Sequence, residues 1–557
     1  MATLNFKGKV FVQNHHLSVK YHQLVPKKDK SLTDKVSLND NLIIHGDNLK
    51  VLKALLPTYA GKVKCIYIDP PYNTGNEKWV YNDNVNSPMI QEWLGKIVDK
   101  EDLTRHDKWL CMMMPRLKLL QELLIEDGVI FISIDNNEVH NLIKLMEEIF
   151  QNNFIGILIW RKKEGGGQTD DYFVTEHEYI IVFSKSPQFK WINEVIPANE
   201  AEFNKKDSKG KFNAIKLAKW GSGSRKEDRP SMCFPIKSPD GKNIYPQAPD
   251  GNEGRWRVGK PRMDIIIKGD LIYWKKKDEK WIPYEKVYFE EEVSAKTIKE
   301  RSILYDLATT GDATKMLTEI FGEKDIFENA KPIDLIKFCI QYTTDSNSII
   351  LDSFAGSGTT AHAVLDLNKE DKGKRKFILV QCDEFSKKTK KIENLCDSIT
   401  TERVKRIIKG IKTAKDEKLK EGFDDTFSYF ELGDPIEMES ILEGKKLPSY
   451  EELARYVFYT ATGEEFEAKK INKKKNYIGE SREYEAYLFY EPDIEYLKAT
   501  AFDLNKAKAL GPYKGKKRLI FAPSKYLDLN DSELVERHGL KGIDYCQLPF
   551  EIYKLKE

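Results

Sequence analysis

Residues 65–72 read CIYIDPPY, a short apolar run that ends in an aspartate, two prolines and a tyrosine. The apolar part belongs to a set of short apolar strands typical of a parallel sheet, of which 129–134 is hydrophobic enough to be buried on both faces. Sheets of this kind bind ligands at the carboxyl ends of their strands, where Asp69 stands. The stretch therefore predicts an α/β fold with a functional residue at the rim of the sheet.

Similar apolar segments recur along the chain and alternate with helical patterns, which is typical of a parallel sheet. They are residues 42–45, 63–68, 129–134, 348–351 and 377–380, with a hairpin-like pair at 154–160 and 178–184 around a polar, glycine-rich segment at 162–170. The alternation stops between about 190 and 300, where Lys, Arg, Trp, Tyr, Gly and Pro dominate, and then returns. A sheet interrupted by an inserted module is the simplest account.

The amino-acid composition excludes few classes of function. The 557 residues carry 90 Lys and Arg against 88 Asp and Glu, so the net charge of +2 indicates no particular partner. The seven cysteines form no CxxC pair or His/Cys cluster, and we expect no metal site. No apolar run reaches about 18 residues, and no signal-peptide pattern opens the chain. We expect a soluble, cytoplasmic protein without membrane contact.

The tetrapeptide Asp69-Pro70-Pro71-Tyr72 has the chemistry to bind an aromatic amine. The prolines fix the backbone and leave carbonyls free to accept hydrogen bonds. The tyrosine offers a flat face on which a base could stack. An aromatic amine becomes nucleophilic when acceptors, here the Asp69 carboxylate and the Pro70 carbonyl, hold both of its hydrogens. A plain Pro-Pro turn that ends a strand is the alternative.

A second motif, DSFAGSGTT at 352–360, lies between a predicted strand and a predicted helix. Its glycines allow a ligand to approach the backbone closely, and the helix start offers unpaired N–H groups. No lysine follows the last glycine, so it is not a Walker A loop, and it does not match the dinucleotide pattern GxGxxG. A purely structural glycine turn is the alternative.

Together the two motifs resemble those of the β-class adenine-specific (N6) DNA methyltransferases. The sequence is similar in particular to the modification (Mod) subunits of type III restriction-modification systems, through IYIDPPYNTGN (66–76), GVIFISIDNNE (128–138), RW (255–256) and NAKP (329–332). The likeness covers roughly residues 40–390. It implies a Rossmann-like S-adenosylmethionine-dependent methyltransferase fold that is circularly permuted, since the tetrapeptide precedes the glycine turn.

The resemblance also implies a division of the chain. The segments are an N-terminal segment (1–40), the catalytic half of the methyltransferase core (41–190), an inserted target recognition domain (191–300), the cofactor half of the core (301–395), and a C-terminal helix, at about 397–420, with an α+β extension (396–557). We expect the helix and the extension to be where partner subunits bind.

In the roles implied by the resemblance, Asp69 and the Pro70 carbonyl hold the target amine and Tyr72 stacks on the flipped base. The residues expected to bind S-adenosylmethionine, with S-adenosylhomocysteine as product, are Asp47, Lys331, Asp352, Phe354, Ala355, Gly356, Ser357, Gly358, Thr359, Gln381 and Asp383. Some of these roles have alternatives: Asp47 is also a plausible helix N-cap, and Lys331 with the following proline a plain helix start. Which of Gln381, Asp383 or Glu384 holds the ribose stays open.

The inserted region mixes basic and aromatic residues, as DNA-contacting surfaces do. The candidates for DNA contact are Arg225, Lys226, Arg229, Arg255, Arg257, Lys260 and Arg262, interleaved with Trp220 and Trp256. Charged solvent-facing loops are the alternative, and Trp256 is more typical of a core anchor. For His177 and the glycine-rich segment 164–168, the resemblance suggests closure around the base, and a disordered hairpin tip is the alternative.

The sequence thus predicts methyl transfer to the N6 amino group of a flipped adenine in double-stranded DNA. Methylation of the cytosine N4 amino group is the nearest rival, and the aspartate at the first motif position favours adenine. A non-catalytic DNA-binding scaffold is the rival of a different class, and RNA as substrate is disfavoured by the basic insert. A type III-like Mod subunit would be a homodimer and could recruit a helicase-nuclease restriction subunit, whereas a standalone methyltransferase would need none.

Overall fold

The computed structural model describes most of the chain. The described residues are 4–75, 104–165, 172–196, 199–289, 296–324, 326–385, 392–435, 447–462, 464, 466–527, 529, 532–538 and 540–548. The chain divides into two compact units, of which the smaller is Asn193–Glu300 and the larger is Met1–Ile192 with Arg301–Glu557. The role of the smaller unit in target recognition stays a prediction.

A ten-stranded sheet forms the centre of the larger unit. Its strands in chain order are β1 (His22–Pro26), β2 (Leu42–His45), β3 (Val63–Ile68), β4 (Leu124–Ile134), β5 (Phe154–Arg161), β6 (His177–Ser184), β7 (Ile303–Leu304), β8 (Ile349–Asp352), β9 (Lys376–Gln381) and β10 (Ser428–Pro435). Across the sheet the order is β1-β10-β2-β9-β8-β3-β4-β6-β5-β7.

The middle of the sheet, from β10 to β4, is parallel throughout. At its centre β8 pairs with β3, with Ile350 opposite Cys65 and Leu351 opposite Ile66. From β3 the chain goes on to β4 on one side, and from β8 it goes on to β9 on the other side. Such a reversal of direction opens a crevice at the carboxyl ends of the two strands, where ligands bind in sheets of this kind.

The predicted pairing of the segments at 154–160 and 178–184 is confirmed. Strands β5 and β6 are antiparallel, with Ile157 opposite Ile181, and β6 also pairs antiparallel with β4. Strand β7 adds to the free edge of β5 in the parallel direction.

Helices cover both faces of the sheet, so its central strands are buried on both sides. The main helices are α1 (Asn48–Tyr59), α2 (Arg105–Leu123), α3 (Val139–Phe150), α4 (Thr310–Phe321), α5 (Ile333–Gln341), α6 (Thr359–Asp371), α7 (Glu402–Lys409) and α8 (Tyr450–Thr462). One hydrophobic core joins α1, α2, α3 and α8 to one face. A second core joins α5, α6 and α7 to the other face.

Two predictions at the ends of the core are wrong. The sheet takes β1 from the predicted N-terminal segment and β10 from the predicted C-terminal extension, so the core extends beyond 41–395. The continuous helix predicted at about 397–420 is instead a π-helical turn, Cys396–Thr401, followed by α7, a break at Gly410 (φ 82°) and a short helix, Glu417–Glu421. The side chain of Val404, in α7, is buried in the second core, so α7 is part of the methyltransferase core.

The smaller unit contains a four-stranded antiparallel sheet in the order Ile272–Lys277, Lys280–Tyr288, Gly210–Lys216, Lys205–Asp207. A helix, Lys260–Lys268, contributes Met263 and Ile266 to its core. Trp256 is 1% exposed in that core, as expected of a core anchor. Two-stranded pairs complete the unit: Glu194–Ile196 with Lys296–Ile298, and Ile236–Lys237 with Asn243–Ile244.

The C-terminal part of the larger unit has a sheet of its own. Its strands are Tyr477–Glu480, Tyr484–Leu488, Lys517–Ala522 and Ile543–Gln547. The remaining short elements are the helices Lys9–Val12, His15–Ser18, Ile494–Ala499, Leu504–Ala509 and Ser532–His538 and the strand pairs Glu384–Phe385 with Ile392–Glu393 and Ala501–Phe502 with Ser524–Lys525. Among the helices in the described ranges, none is both long and apolar enough to cross a membrane.

Candidate active site

The two sequence motifs meet in one cavity of about 560 Å³ at the carboxyl ends of β3 and β8. That volume suits a small-molecule ligand. The lining residues are Tyr67, Asp69, Pro70, Pro71, Tyr72, Thr74, Asp135, Lys162, Glu178, Phe327, Glu328, Asn329, Ala330, Lys331, Ile336, Asp352, Phe354, Ala355, Gly356, Ser357, Thr359, Thr360, Cys382, Asp383 and Glu384. The tetrapeptide and the glycine turn, which are far apart in sequence, therefore share one pocket.

Asp69 and Tyr72 contact each other at the cavity wall. The Tyr72 hydroxyl lies 2.8 Å from Asp69 Oδ1 and 3.0 Å from Glu178 Oε2, and with a single hydrogen it donates to one carboxylate at a time. The Asp69 side chain keeps 28% of its surface exposed, and it lines the cavity. The carboxylate and the aromatic ring are thus held together as one unit.

A buried lysine completes this group. Lys331 Nζ donates to Asp69 Oδ2 over 2.7 Å, lies 3.4 Å from Glu178 Oε2 and sits 5.1 Å from the centre of the Tyr72 ring. Lys162 Nζ donates to the other Glu178 oxygen, Oε1, over 3.1 Å. Two carboxylates and two ammonium groups therefore balance one another in the cavity wall.

Burial and these charges shift the pKa values of the group in different directions. Burial, with the Glu178 carboxylate nearby, raises the pKa of Asp69 above its ordinary value, although Lys331 opposes the shift. Burial alone would also raise the pKa of Glu178, but Lys331 and Lys162 hold it below its ordinary value. Burial would lower the pKa of Lys331, but Asp69 and Glu178 raise it instead. Lys331 is therefore a stable cation beside Asp69.

Contacts from α2 and from the start of α3 hold the backbone after the tetrapeptide. Trp109 Nε1 donates to the Pro71 carbonyl over 2.7 Å. Asn73, in the left-handed region at φ 58°, donates its side-chain amide to the buried Glu138 carboxylate. His106 Nδ1 lies 2.6 Å from the same carboxylate. The tetrapeptide is thus fixed by side chains distant in sequence.

Asp352 organises the start of the glycine turn. Its Oδ1 accepts from the Phe354 backbone N–H over 3.0 Å, and its Oδ2 accepts from the Thr360 hydroxyl over 2.5 Å. Burial raises the pKa of Asp352 to about 7. The carboxylate thus joins the end of β8 to the first turn of α6, and the glycines curve between them.

The glycine turn is also held from behind. Gly356 N–H donates to Gln381 Oε1 over 2.6 Å, and the Gly356 carbonyl accepts from the Thr400 hydroxyl over 2.6 Å. Gly358 adopts φ 76°, and a Cβ there would lie 3.3 Å from the Thr400 carbonyl oxygen. The π-helical turn at 396–401 therefore supports the glycine turn directly.

The cavity includes most, but not all, of the predicted cofactor residues. Lining it are Lys331, Asp352, Phe354, Ala355, Gly356, Ser357, Thr359 and Asp383, whereas Asp47, Gly358 and Gln381 are not in its wall. Asp47 caps α1, accepting from Lys50 N–H over 3.2 Å, which agrees with its alternative reading as a helix cap. Gln381 faces the back of the glycine turn. Cofactor contacts of these three residues stay predictions.

The acidic candidates after β9 differ in their surroundings. Asp383 Oδ1 lies 2.8 Å from His45 Nε2, and the Asp383 side chain is 45% exposed. Glu384 accepts from Gln381 Nε2 over 2.7 Å, and it too is exposed. Both line the cavity. The geometry favours Glu384 as the acid that faces a bound ligand, because Asp383 already pairs with a histidine.

Sequence reasoning missed Glu178, Glu138 and Arg403. Alternation along β6 puts His177 and Glu178 on opposite faces of the strand, and the face that lines the cavity is that of Glu178. A charged residue within an otherwise apolar strand was the available signal for Glu178. Arg403 lies in the helix predicted at about 397–420, to which the sequence assigned no residue of the site. In the glycine-rich segment 162–170, residues 166–170 lie outside the described part.

Most of the predicted DNA-contacting side chains are paired within the smaller unit. Arg225 binds Asp250 at 2.7 Å, Lys226 binds Glu253 at 2.9 Å, and Arg257 and Arg262 both bind the buried Glu285. Arg255 donates to the Gly223 carbonyl. Arg229 and Lys260 are exposed and form no ion pair within the described residues. Trp220 is 62% exposed, with Lys216 Nζ 4.5 Å from its ring centre.

The chain is similar in sequence to known DNA methyltransferases. The profile of the N6_N4_Mtase family, described as DNA methylase, matches residues 63–413, more than half of the chain. The Mod subunit of the type III restriction-modification enzyme EcoPI of Escherichia phage P1 is 34% identical over 76% of this chain and 70% of its own length. The EcoP15I Mod subunit of Escherichia coli is 32% identical over 75% of this chain and 70% of its own. The type II methyltransferase M.KpnI of Klebsiella pneumoniae is 33% identical over 65% of this chain and 84% of its own.

The chain belongs to the DNA methylase family. It is a DNA methyltransferase, and its relatives include Mod subunits of type III restriction-modification enzymes. The resemblance inferred from the sequence motifs and the predicted α/β methyltransferase fold are both confirmed. Circular permutation of that fold stays a prediction.

Proposed function

We propose that this protein transfers the methyl group of S-adenosylmethionine to the N6 amino group of an adenine that is flipped out of duplex DNA. The observation that carries the proposal is the shared cavity: Asp69 and Tyr72 form one wall, and Phe354, Gly356 and Ser357 of the glycine turn form another. An amine acceptor and a cofactor turn must face each other for direct transfer between two bound ligands. A non-catalytic scaffold would need neither.

The cavity fits the cofactor in shape and charge. A Cβ on Gly356 would lie 3.2 Å from Phe327 Cζ, so only glycine leaves this part of the turn open. Besides the balanced group of Asp69 and Glu178, the carboxylates of Asp383 and Glu384 line a space that would accept a positively charged ligand. We assign the cofactor to Phe354, Gly356, Ser357, Thr359 and Glu384. When bound, S-adenosylmethionine supplies a methyl group activated by its sulfonium.

The residues of the tetrapeptide hold and orient the amine. The Asp69 carboxylate and the Pro70 carbonyl accept its two hydrogens, so that the nitrogen lone pair is no longer delocalised into the ring. Tyr72 stacks on the base and offsets part of the cost of unstacking it, which is a few kcal/mol. The ammonium group of Lys331 must leave Asp69 Oδ2 so that the amine can bind there. Glu178 Oε2 lies 3.4 Å from Lys331 Nζ and is in place to bind the displaced ammonium group.

Catalysis in this scheme is mainly positioning and electrostatics. S-adenosylmethionine held by the glycine turn would supply the methyl group and retain the sulfur as a neutral thioether, while Asp69 and the Pro70 carbonyl hold the amine that would receive the methyl group. The methylated nitrogen is then cationic and acidic enough to lose its proton to water, so Asp69 need not become protonated. Asp69 stays an ionised acceptor throughout and stabilises the positive charge that develops on the nitrogen.

The likeness to the EcoPI and EcoP15I Mod subunits supports a role as the modification and specificity subunit of a type III-like system. Alignments with the type III Mod subunits of EcoPI, StyLTI and EcoP15I span 63% to 70% of those relatives. In such a role the protein would be a homodimer and could bind a helicase-nuclease restriction subunit. The likeness to M.KpnI, named a type II methyltransferase, supports the rival possibility of action without that subunit.

The test is to incubate the protein with duplex DNA and methyl-labelled S-adenosylmethionine, and to identify the modified nucleoside by mass spectrometry. N6-methyladenine is the expected product. N4-methylcytosine as the product would mean that the substrate base is cytosine. Label found only in RNA would mean that the substrate is RNA. No transfer to any DNA would favour a non-catalytic scaffold. Genomic DNA from cells with and without the protein would give the recognition sequence.

Asp69→Ala tests the assigned amine acceptor in the same assay. Loss of a preorganised acceptor is expected to lower kcat by about 10²- to 10³-fold. Binding of the cofactor should persist, because the glycine turn is intact. Asp127→Ala is the matched control, since Asp127 also binds a lysine, Lys64, at 2.7 Å, but does not line the cavity. Activity retained in Asp69→Ala would remove Asp69 from the mechanism.

A further inference from the structure

Arg403 is a fully buried cation behind the glycine turn. Its side chain belongs to α7 and is 1% exposed. With its two hydrogens Nη1 donates to its two nearest acceptors, the Thr359 hydroxyl (2.9 Å) and the Ser357 hydroxyl (3.1 Å), and the Ser357 carbonyl oxygen lies 3.3 Å from it; Nη2 lies 3.3 Å from His362 Nδ1. Within the described residues no carboxylate lies within 4.0 Å of the guanidinium, and its Nε has no hydrogen-bond partner. A buried charge without an opposite charge is costly to a fold.

The protein does not neutralise this charge. Burial lowers the pKa of Arg403 to about 9, which leaves the guanidinium protonated at neutral pH. Burial, with Arg403 next to it, lowers the pKa of His362 well below its ordinary value, so the imidazole is neutral and its Nδ1 accepts from Arg403. The positive charge is therefore available to a ligand of the nearby cavity.

Arg403 acts on the cavity through two hydroxyl groups. Ser357 and Thr359 line the cavity, whereas Arg403 does not. Because both hydroxyl oxygens accept from the guanidinium, their hydrogens must point elsewhere. The Thr359 hydroxyl donates to the Lys331 carbonyl over 3.2 Å. The Ser357 hydroxyl is then left as a donor, either to Thr359 at 3.2 Å or to a ligand in the cavity.

The Ser357 end of the cavity lies next to two sources of positive potential, Arg403 behind the wall and the start of α6. The cations in the wall itself, Lys162 and Lys331, are already paired with Glu178 and Asp69. The glycine turn leads into the first turn of α6, where the helix dipole adds positive potential. An anionic group on a ligand is therefore attracted to Ser357, while its cationic groups are attracted to the carboxylates elsewhere in the cavity.

We propose that Arg403 is a positioning residue for the carboxylate of the cofactor's methionine part. It fixes the Ser357 hydroxyl as a hydrogen-bond donor to that carboxylate and supplies the positive potential that the surrounding acidic wall lacks. The inference rests on the proposed function, because it takes S-adenosylmethionine as the ligand. Arg403 does not touch the reacting atoms.

The test compares two ligands by titration calorimetry: S-adenosylmethionine and decarboxylated S-adenosylmethionine, which lacks only the carboxylate. The wild-type protein is expected to prefer the first by about tenfold or more, the size of one charge-assisted hydrogen bond. In Arg403→Met the affinity for S-adenosylmethionine should fall until the preference is lost, while the affinity for the decarboxylated ligand changes by less than about twofold.

Arg518→Met is the matched control. Arg518 is also a buried arginine (2% exposed) that donates to carbonyl groups, those of Gly511 and Lys541, but it lies outside the cavity wall. It should lose stability and keep the ligand preference. If Arg403→Met does not fold, Ser357→Ala takes its place and should reduce the same preference.

If Arg403→Met lowers the affinity for both ligands by the same factor, Arg403 only supports the fold, and the inference is overturned. Equal binding of the two ligands by the wild-type protein would also overturn it, while leaving the proposed function standing. Binding of neither ligand by the wild-type protein would overturn the proposed function, and this inference with it.

Discussion

Lys331 Nζ lies 2.7 Å from Asp69 Oδ2, although 262 residues separate the two in sequence. The same ammonium sits 5.1 Å from the centre of the Tyr72 ring. In this structure the lysine thus has the two neighbours, a carboxylate and an aromatic face, that the proposed function gives to the target amine. The contact keeps Asp69 charged until an amine replaces it.

Replacing Lys331 by methionine should move the acid limb of activity to higher pH. Asp69 accepts the amine hydrogens only when it is ionised, so activity falls as the pH drops through its pKa. Burial already raises that pKa, and Lys331 opposes the rise. Without the ammonium group the pKa of Asp69 rises further, and activity is lost at a higher pH than in the wild-type protein. The measurement is a pH profile of kcat/KM.

Lys337→Met is the control for this profile. Lys337 is also partly buried between two carboxylates, Asp366 at 2.6 Å and Glu370 at 2.7 Å, but it does not line the cavity. Its loss should lower stability and leave the acid limb in place. An acid limb that is the same in Lys331→Met and the wild-type protein would mean that the lysine does not control Asp69 ionisation.

Glu384→Gln should weaken cofactor binding by about tenfold, the loss expected when a charged hydrogen-bond acceptor for a hydroxyl becomes neutral. The glutamate lines the cavity beside the glycine turn and accepts from Gln381. Calorimetry with S-adenosylhomocysteine gives the affinity without turnover. Asp383→Asn is the matched change on the neighbouring acid and should have a smaller effect. A larger loss of affinity in Asp383→Asn than in Glu384→Gln would mean that Asp383 contacts the ribose.

The parallel sheet, the tetrapeptide and the glycine turn could be predicted from the sequence because their signals are local. Strands β2 and β3 are short and mainly apolar, and their limits were predicted to the residue. The motifs at 69–72 and 352–360 follow strands directly, and parallel strands end on the same side of a sheet. These features are local, and local features can be read from a sequence.

The strands and site residues that were not predicted depend on contacts between distant segments of the chain. Strands β1 and β10 are mixed in polarity and become strands by pairing with each other and with β2. Arg403 was predicted only as part of a helix at about 397–420, and the packing of α7 behind the glycine turn shows that it is buried. Glu178 acquires its role only from the lysines brought to it by other segments.

Gly358→Ala should destabilise the protein more than Gly61→Ala. Both glycines have positive φ, 76° and 66°, which costs an alanine roughly 1–2 kcal/mol. A Cβ at Gly61 meets nothing within 4 Å, whereas at Gly358 it lies 3.3 Å from the Thr400 carbonyl oxygen. Urea unfolding gives the two stabilities, and only Gly358→Ala should also weaken cofactor binding. Equal effects of the two changes would mean that the turn relaxes away from Thr400.

Arg229→Ala should weaken DNA binding at every sequence and reduce the slope of log affinity against log salt by about 1, the effect of losing one phosphate contact. Arg229 is exposed and, within the described residues, forms no ion pair, so its charge is free to meet a phosphate. Arg225→Ala is the matched control, because Asp250 at 2.7 Å already neutralises that guanidinium. Fluorescence anisotropy with a labelled duplex over a range of salt concentrations measures both slopes. A reduced slope in Arg225→Ala alone would mean that DNA displaces Asp250, and that the ion pairs of this unit open when it binds.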